Sequence, residues 1–363
     1  MFTVSPVPGA QFQKIASDNG VTLPIEQTEE WARYQDTVEG RSPWHFLTVN
    51  DGHAVVALIS LIRYSTHGYH FLRAAHGPVL LVAAAQDAAE ANRDSTDAAA
   101  RESAVLHAVT QFVRRHAPDI VFVRMASSRQ LPENHAVLST VPYDQTVIID
   151  VTGGEDEILS RMKRRGRRDV RKSLRECDAV CADETDLAIA DFTPYYEVMK
   201  DTGSRDGFAP APMKNYADMI TSLGPAHCRV FAARADGAVV AWSIITVSGT
   251  HAVRYYAAMR SDARKMHVTD RLLFAECCEL GKQGITEYDL MGIGSGFAPS
   301  LMGLNEFKTK FTENITPVPP ERDFPIRKVT YSVLTAMQKI RHFDIRSVFA
   351  NNKNKNSKNT KKR

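Results

Sequence analysis

The chain carries one pattern twice, and that repetition limits its fold more than any other feature. From residue 44 to 81, WHFLTVNDGHAVVALISLIRYSTHGYHFLRAAHGPVLL reads as three strands, with Asn50-Asp51-Gly52 and His67-Gly68 as turns between them. An alanine-rich stretch over 82–100 and RESAVLHAVTQFVRRHA predict one long or two consecutive helices that stop at Pro118, and IVFVRM at 120–125 returns as a strand. In the second half, DFTPYYEVMKDTG and PMKNYADMITSLG predict helices. CRVFAARADGAVVAWSIITVSGTHAVRYYAAM then predicts three strands, with turns at Ala235-Asp236-Gly237 and Ser248-Gly249. DRLLFAECCELGKQG supplies the next helix and ITEYDLMGI the next strand. Two copies of meander, helix and strand imply an α+β fold of two tandem lobes.

A chain of 363 residues with 44% hydrophobic content can build two cores. The expected division is 1–153 for the first lobe and 154–330 for the second, entered through a basic helix. A C-terminal helix over 331–350 and a disordered basic tail over 351–363 follow.

Net charge is +3, yet the last thirteen residues alone carry six Lys/Arg, so residues 1–350 sum to −3. Against that acidic body, RMKRRGRRDVRKSLRE at 161–176 stands out. From Arg161 to Arg175 there are nine Lys/Arg and one Asp, which points to a polyanionic partner such as RNA, phosphate or an anionic membrane face. A solvated basic helix face is the plain alternative. Acids at Glu155, Asp156 and Glu157 followed by bases suit the macrodipole of a single helix, with Arg164, Arg168, Arg171 and Lys172 free to track phosphates along one side.

The five cysteines, Cys177, Cys181, Cys228, Cys277 and Cys278, form no CxxC pair, which argues against a disulfide framework and a zinc site. No metal site is expected. The N-terminus has neither a basic n-region nor an apolar h-region, and no stretch of 18 uninterrupted apolar residues occurs. The expectation is a cytoplasmic protein that can still touch a membrane. The tail NNKNKNSKNTKKR has no apolar residue, cannot fold alone, and carries charge suited to tRNA or to the anionic inner leaflet of the plasma membrane.

The element order resembles that of GNAT acyltransferases. Those enzymes that use acetyl-CoA place a glycine-rich turn, R/Q-x-x-G-x-G/A, after the third meander strand, so that backbone N–H groups can cradle the pyrophosphate. Here the corresponding stretch is RSDARKMHVTDRLL, with no glycine between Met259 and Gly281, and GPVLLVAAAQDAAEANRD in the first half lacks the pattern too. Coenzyme A is therefore not the expected donor, and no cofactor is expected.

A more specific resemblance runs through the second half. RMKRRGRRDVRKSLRE, YYEVMKDTGSRDGF, RYYAAM, YDLMGI and GLNEFKTKF resemble, in order and spacing, the Fem family of non-ribosomal peptidyltransferases, with WARYQ near residue 31 and HGPVLL near residue 76 extending the likeness to most of the chain. The resemblance implies transfer of an amino acid from aminoacyl-tRNA to the stem-peptide diamino acid of a peptidoglycan precursor, either lipid II or a UDP-linked muramyl peptide, by a monomer. By the same resemblance Lys308 lies beside the reacting ester or the tRNA phosphates, and Phe307 is a platform for the terminal adenine. Arg205 grips the precursor, and Tyr216 and Tyr256 face the muramyl peptide. Aminolysis of an ester between two polyanions needs cations and hydrogen-bond donors more than carboxylates, and these residue types fit. Each has a plainer reading: a strand with Phe307 and Phe311 inward and two solvated lysines, an Arg205–Asp206 pair at a helix end, and Tyr256 in a core.

One departure is visible. Relatives carry a lysine shortly after the Trp of the first-lobe helix, where this chain has Gln35, leaving Arg33 as the nearest cation. Gly292, Gly294 and Gly296 form a loop too common in pattern to be read as a phosphate cradle. Asp144, Asp289 and the histidines are candidate proton acceptors, the substrate itself and water are others, and no general base is assigned among them. Two other readings stay open, an acyl-CoA-dependent N-acyltransferase and a non-catalytic RNA-binding protein.

Overall fold

A computed structural model describes residues 2–81, 94–138, 140–338 and 340. The expected helical stretch over 82–93 and the tail over 351–363 lie outside the described residues. The chain opens with β1 (Thr3–Val7) and α1 (Gly9–Asp18), then a 3-10 turn at Ile25–Gln27 and α2 (Glu29–Thr37). The first meander is β2 (Arg41–Asp51), β3 (Ala54–Thr66) and β4 (Tyr69–Ala74), followed by β5 (Val79–Leu80), α3 (Asp94–His116) and β6 (Ile120–Ala126). Next come β7 (Gln145–Thr146), β8 (Ile148–Asp150), α4 (Glu155–Arg161), α5 (Arg164–Glu176), β9 (Val180–Asp183), α6 (Thr185–Ala190), α7 (Thr193–Asp206) and α8 (Met213–Leu223). The second meander is β10 (Cys228–Ala235), β11 (Ala238–Ser248) and β12 (His251–Met259), followed by α9 (Val268–Lys282) and β13 (Glu287–Asp289). α10 (Asn305–Lys308), β14 (Thr316–Pro317), β15 (Glu321–Pro325) and α11, described over 328–338 and at 340, end the described chain.

Both repeats form as the turn residues dictate. Each sheet is antiparallel through its meander and then takes one parallel strand, β6 beside β4 and β13 beside β12, because the intervening helix returns the chain to the same end. The terminal strands cross over. β8, which precedes α4, joins β13 in the second sheet, and β15, which comes after the second unit, joins β6 in the first. The expected boundaries at 153 and 330 thus fall just beyond strands that each pair in the sheet on the other side.

The crossover is fastened from within. Arg124 on β6 and Asp323 on β15 are 2% and 0% exposed and form a two-pronged ion pair at 2.7 and 3.0 Å. The Leu138 amide and the Tyr331 hydroxyl also donate to Asp323, while Arg124 lies over the Phe71 and Phe122 rings. Burial still holds the Asp323 carboxyl above its ordinary pKa, against the pull of Arg124.

The lobes share a core. Ile25, Trp31, Tyr34 and Val38 from around α2 are buried with Tyr195, Tyr216, Met219 and Trp242 of the second lobe. Thr28 caps α2 by accepting from the Trp31 amide, which fixes the face that α2 presents. An interface of this kind packs like a domain interior, so the two sheets hold one geometry.

The basic segment differs from expectation. It forms two helices, not one. Met162 is fully buried with extended dihedrals (φ −71°, ψ 153°), and the Lys163 amide donates to the Lys310 carbonyl oxygen, so the chain turns at 162–163 before α5 begins. The acids of α4 therefore cap a different helix, and α5 starts with Arg164 and Arg165 and no acid in its first turn. Glu306 supplies one from outside, 2.6 Å from Arg165.

Candidate active site

The site is built where β13 leaves the second sheet. After Asp289 the chain bends. Met291 takes a left-handed conformation (φ 62°), and a Cβ on Gly292 would meet the Tyr143 ring at 2.3 Å, so glycine is what lets that ring close on the bend. The Met291 and Gly292 carbonyls then face α10. Lys308 Nζ donates to both, at 3.2 and 2.9 Å. Among the described residues Lys308 has no carboxylate within ion-pair distance. Burial, and next the charge of Arg254, pull its pKa down to about 8, with Asp289 acting the other way.

The support beneath Lys308 is a buried polar set. Glu276 on α9, 0% exposed, pairs with Arg254 at 3.1 Å and accepts from the Ser243 hydroxyl at 2.5 Å and the Tyr288 hydroxyl at 2.6 Å. Burial works against the Arg254 charge, but Glu276 leaves its pKa above the ordinary value. Asp289 is held in place by the Met291 amide and the Thr146 hydroxyl. Asp144 instead accepts from Ser295 at 2.6 Å.

From Lys308 a seam of half-buried polar and aromatic residues runs along the lobe junction. Tyr143 feels burial first, and then the charges of Asp289, Glu26 and Glu321, all of which raise its pKa. Arg73 makes a two-pronged pair with Glu321 at 2.7 and 2.9 Å. Tyr255 packs on Trp31 at 5.2 Å, and Tyr256 lies in the field of Arg41 and Arg73, burial being what raises its pKa. Arg41 donates to the Gln35 side chain at 2.9 Å and sits 4.9 Å over the Tyr64 ring.

Several expected residues meet here, and others do not. Lys308 and Tyr256 lie along the seam. Tyr216 touches Tyr256 edge-on at 5.0 Å but is 3% exposed and stacked on Phe192, which places it behind the seam and not on its wall. Arg205 takes the helix-end form. Its guanidinium is held by Asp206 at 2.9 and 3.0 Å and by the Met259 carbonyl at 2.7 Å, at the end of β12. The FK element is a helical turn and not a strand, and neither lysine is solvated. Phe307 packs on Phe311 at 5.2 Å, with the Lys310 ammonium 5.1 Å above its ring. Lys310 points away from Lys308, into Asp270 at 2.5 Å and Asp169 at 3.2 Å. Arg33 is exposed and paired with Glu30, so the cation beside Gln35 is Arg41.

The basic helix adjoins the FK element directly. A Cβ on Gly166 would meet the Lys310 carbonyl oxygen at 2.2 Å, so only glycine lets α5 approach this closely. Arg164, Arg168, Arg171 and Arg175 recur at spacings of four, three and four along α5 and share one groove with Arg165 and Arg167. Arg168 leans on Asp169 and Lys172 on Glu176, while Arg164, Arg171 and Arg175 have no ion-pair partner among the described residues.

Two glycines of 292–296 are explained by packing. Gly292 accommodates Tyr143 and Gly294 the Met302 backbone. The turn between β12 and α9 has no glycine. His267, in a left-handed conformation (φ 56°), precedes α9, whose first turn holds Asp270 against Lys310.

Sequence reasoning missed Arg41, Tyr64, Arg73, Tyr143 and Arg254. Arg41 comes after the Glu39-Gly40 turn, and Arg73 and Arg254 interrupt apolar strands, which is the one local signal of a polar requirement in a sheet.

Residues 163–309 match the model of a GNAT acetyltransferase domain. No curated protein matches the chain. The structure is similar to the crystal structure of FemX, at 13% identity and TM-score 0.68, over 91% of this chain and 99% of that one. It is similar to the C-terminal domain of a putative lysylphosphatidylglycerol synthetase from Agrobacterium fabrum, at 16% identity and TM-score 0.53, over 91% and 97%. A tandem GNAT protein from the clavulanic acid biosynthesis pathway is similar at 13% identity and TM-score 0.50, over 90% and 99%. At such identities the likeness is one of fold. The chain is an α+β protein of two tandem GNAT-like lobes, and the match to a GNAT acetyltransferase domain falls on the second of them.

Proposed function

We propose that this protein transfers an aminoacyl group from aminoacyl-tRNA to the diamino acid side chain of a peptidoglycan precursor. The acceptor amine attacks the ester carbonyl carbon, a C–N bond forms, the bond to the ribose oxygen breaks, and the amine proton leaves as that oxygen gains one. The observation that carries this reading is Lys308, a half-buried ammonium without a carboxylate partner, seated on two backbone carbonyls. A cation so placed strengthens its hold on an oxygen as negative charge develops there, because little solvent competes.

In this reading the precursor lies along the seam, with Arg41 meeting its diphosphate and Tyr256 its peptide. The α5 arginines take phosphates of the tRNA acceptor end, where unpaired guanidinium groups suit phosphate oxygens. Arg205 and Tyr216 act as supports, holding the end of β12 and the ring of Tyr256. The likeness to FemX in fold supports the assignment, as do Arg41 and Lys308, two cations of the seam with no carboxylate partner among the described residues.

The GNAT domain match favours a second donor, acyl-CoA. Against it stand the missing glycine turn and Asp270 in the first turn of α9, where an anion would meet a carboxylate. Purified protein given charged tRNA carrying a radiolabelled amino acid, a muramyl-peptide precursor and, separately, labelled acetyl-CoA distinguishes the readings. Label passing from tRNA to precursor, and slowed at least about 100-fold in Lys308→Ala, supports the first; label passing from acetyl-CoA supports the second; retention of RNA without transfer of either label contradicts both.

A further inference from the structure

The last described helix has two apolar sides. One packs inward, where Tyr331 and Leu334 join Phe71, Val121, Phe122 and Leu138. The other carries Val329, Val333, Met337 and Ile340, which are 81%, 48%, 59% and 62% exposed. Steps of four, four and three residues place these side chains on one side of a helix with 3.6 residues per turn. Among the described residues nothing covers them.

The composition of the adjoining C-terminal segment indicates the occupant. Residues 341–363 lie outside the described residues, and they carry eight Lys/Arg against one acid, Asp344. An apolar stripe continued by a cation-rich segment is the chemistry of a helix that rests in the interface of an anionic bilayer, its apolar side at the acyl boundary and its cations among the lipid phosphates. A second copy of this chain would bring the same eight cations to the contact and repel, whereas anionic headgroups attract them. An RNA would satisfy the charge but leave the apolar stripe in water.

We propose that the side of α11 formed by Val329, Val333, Met337 and Ile340 docks on an anionic lipid surface, with 341–363 adding the electrostatic attraction. Lipid binding is measured without substrate, so this docking is independent of the acceptor chemistry.

The test is co-sedimentation of the full chain with vesicles of equal parts phosphatidylglycerol and phosphatidylcholine, beside vesicles of phosphatidylcholine alone. The anionic vesicles are expected to bind at least about tenfold more tightly than the neutral ones. The double variant Val333→Ser/Met337→Ser is expected to weaken that binding by at least about tenfold with its melting temperature unchanged, because both side chains are exposed. Failure to bind either vesicle overturns the proposal. So does anionic binding that the double variant leaves intact, which would assign the effect to charge alone, or a wild-type dimer that the variant converts to monomer.

Discussion

Lys308 Nζ lies 2.9 Å from the carbonyl oxygen of Gly292, a residue that must be glycine because the Tyr143 ring occupies the space of its Cβ. The lysine is thus aimed by backbone and not by a carboxylate, which leaves its charge available to a substrate. Removing it in Lys308→Ala is expected to lower single-turnover transfer by roughly 10²–10³-fold, with tRNA affinity and melting temperature close to wild type.

The same residue sets a pH dependence. With a pKa of about 8, Lys308 is charged below that value and neutral above it. If the charged form is the active one, transfer falls as pH rises through about 8. Lys308→Arg keeps its charge to far higher pH, so the descending limb of the profile should disappear even if the maximal rate is lower. A wild-type rate that climbs steadily to pH 10 would contradict this role.

Arg41, not Arg33, stands beside Gln35 at the position where a lysine is missing from α2. Arg41→Ala is expected to raise KM for the precursor by about tenfold or more while kcat changes little, since a charge-assisted phosphate contact contributes about 1.5–3 kcal/mol. Arg33→Ala should leave both unchanged. Steady-state kinetics in the precursor, at saturating charged tRNA, measures the difference.

The arginine stripe of α5 makes a separate prediction. Arg164→Gln/Arg171→Gln/Arg175→Gln removes three cations that have no ion-pair partner among the described residues. tRNA binding should weaken at low salt, and the slope of log K against log salt should fall by about 2–3, close to one for each phosphate that is no longer neutralised. Fluorescence anisotropy across a salt series reads both quantities.

Two packing contacts fix the frame. Gly166→Ala would drive its methyl into the Lys310 carbonyl and should cost about 1–3 kcal/mol in denaturant unfolding. Asp323→Ala leaves the Arg124 guanidinium buried without its partner and should cost roughly 3–5 kcal/mol.

The tandem order was legible because turn residues and period-two alternation are local: Asn50-Asp51-Gly52 and Ala235-Asp236-Gly237 form the turns they predict. The crossed strands were not legible. β8 and β15 are three and five residues long, and what recruits them is an open edge in a distant sheet together with the Arg124–Asp323 pair, which joins positions 199 residues apart. The break in the basic helix at Met162–Lys163 was hidden for the same reason, since the Lys310 carbonyl that stops it is remote in sequence. Lys308 was found by resemblance to a family pattern. Its carbonyl seat depends on the left-handed Met291, which no spacing rule reveals, and Arg205 and Tyr216, expected from the same resemblance, have side chains that satisfy Asp206 and the core.

The most direct measurement is a crystal structure of the protein with a muramyl-peptide analogue bearing its diamino acid. Electron density is expected along Arg41 and Tyr256, with the acceptor amine within about 4 Å of Lys308 Nζ or one water away. Density on an outer face, with the amine far from Lys308 and the seam empty, would contradict aminoacyl transfer at this lysine.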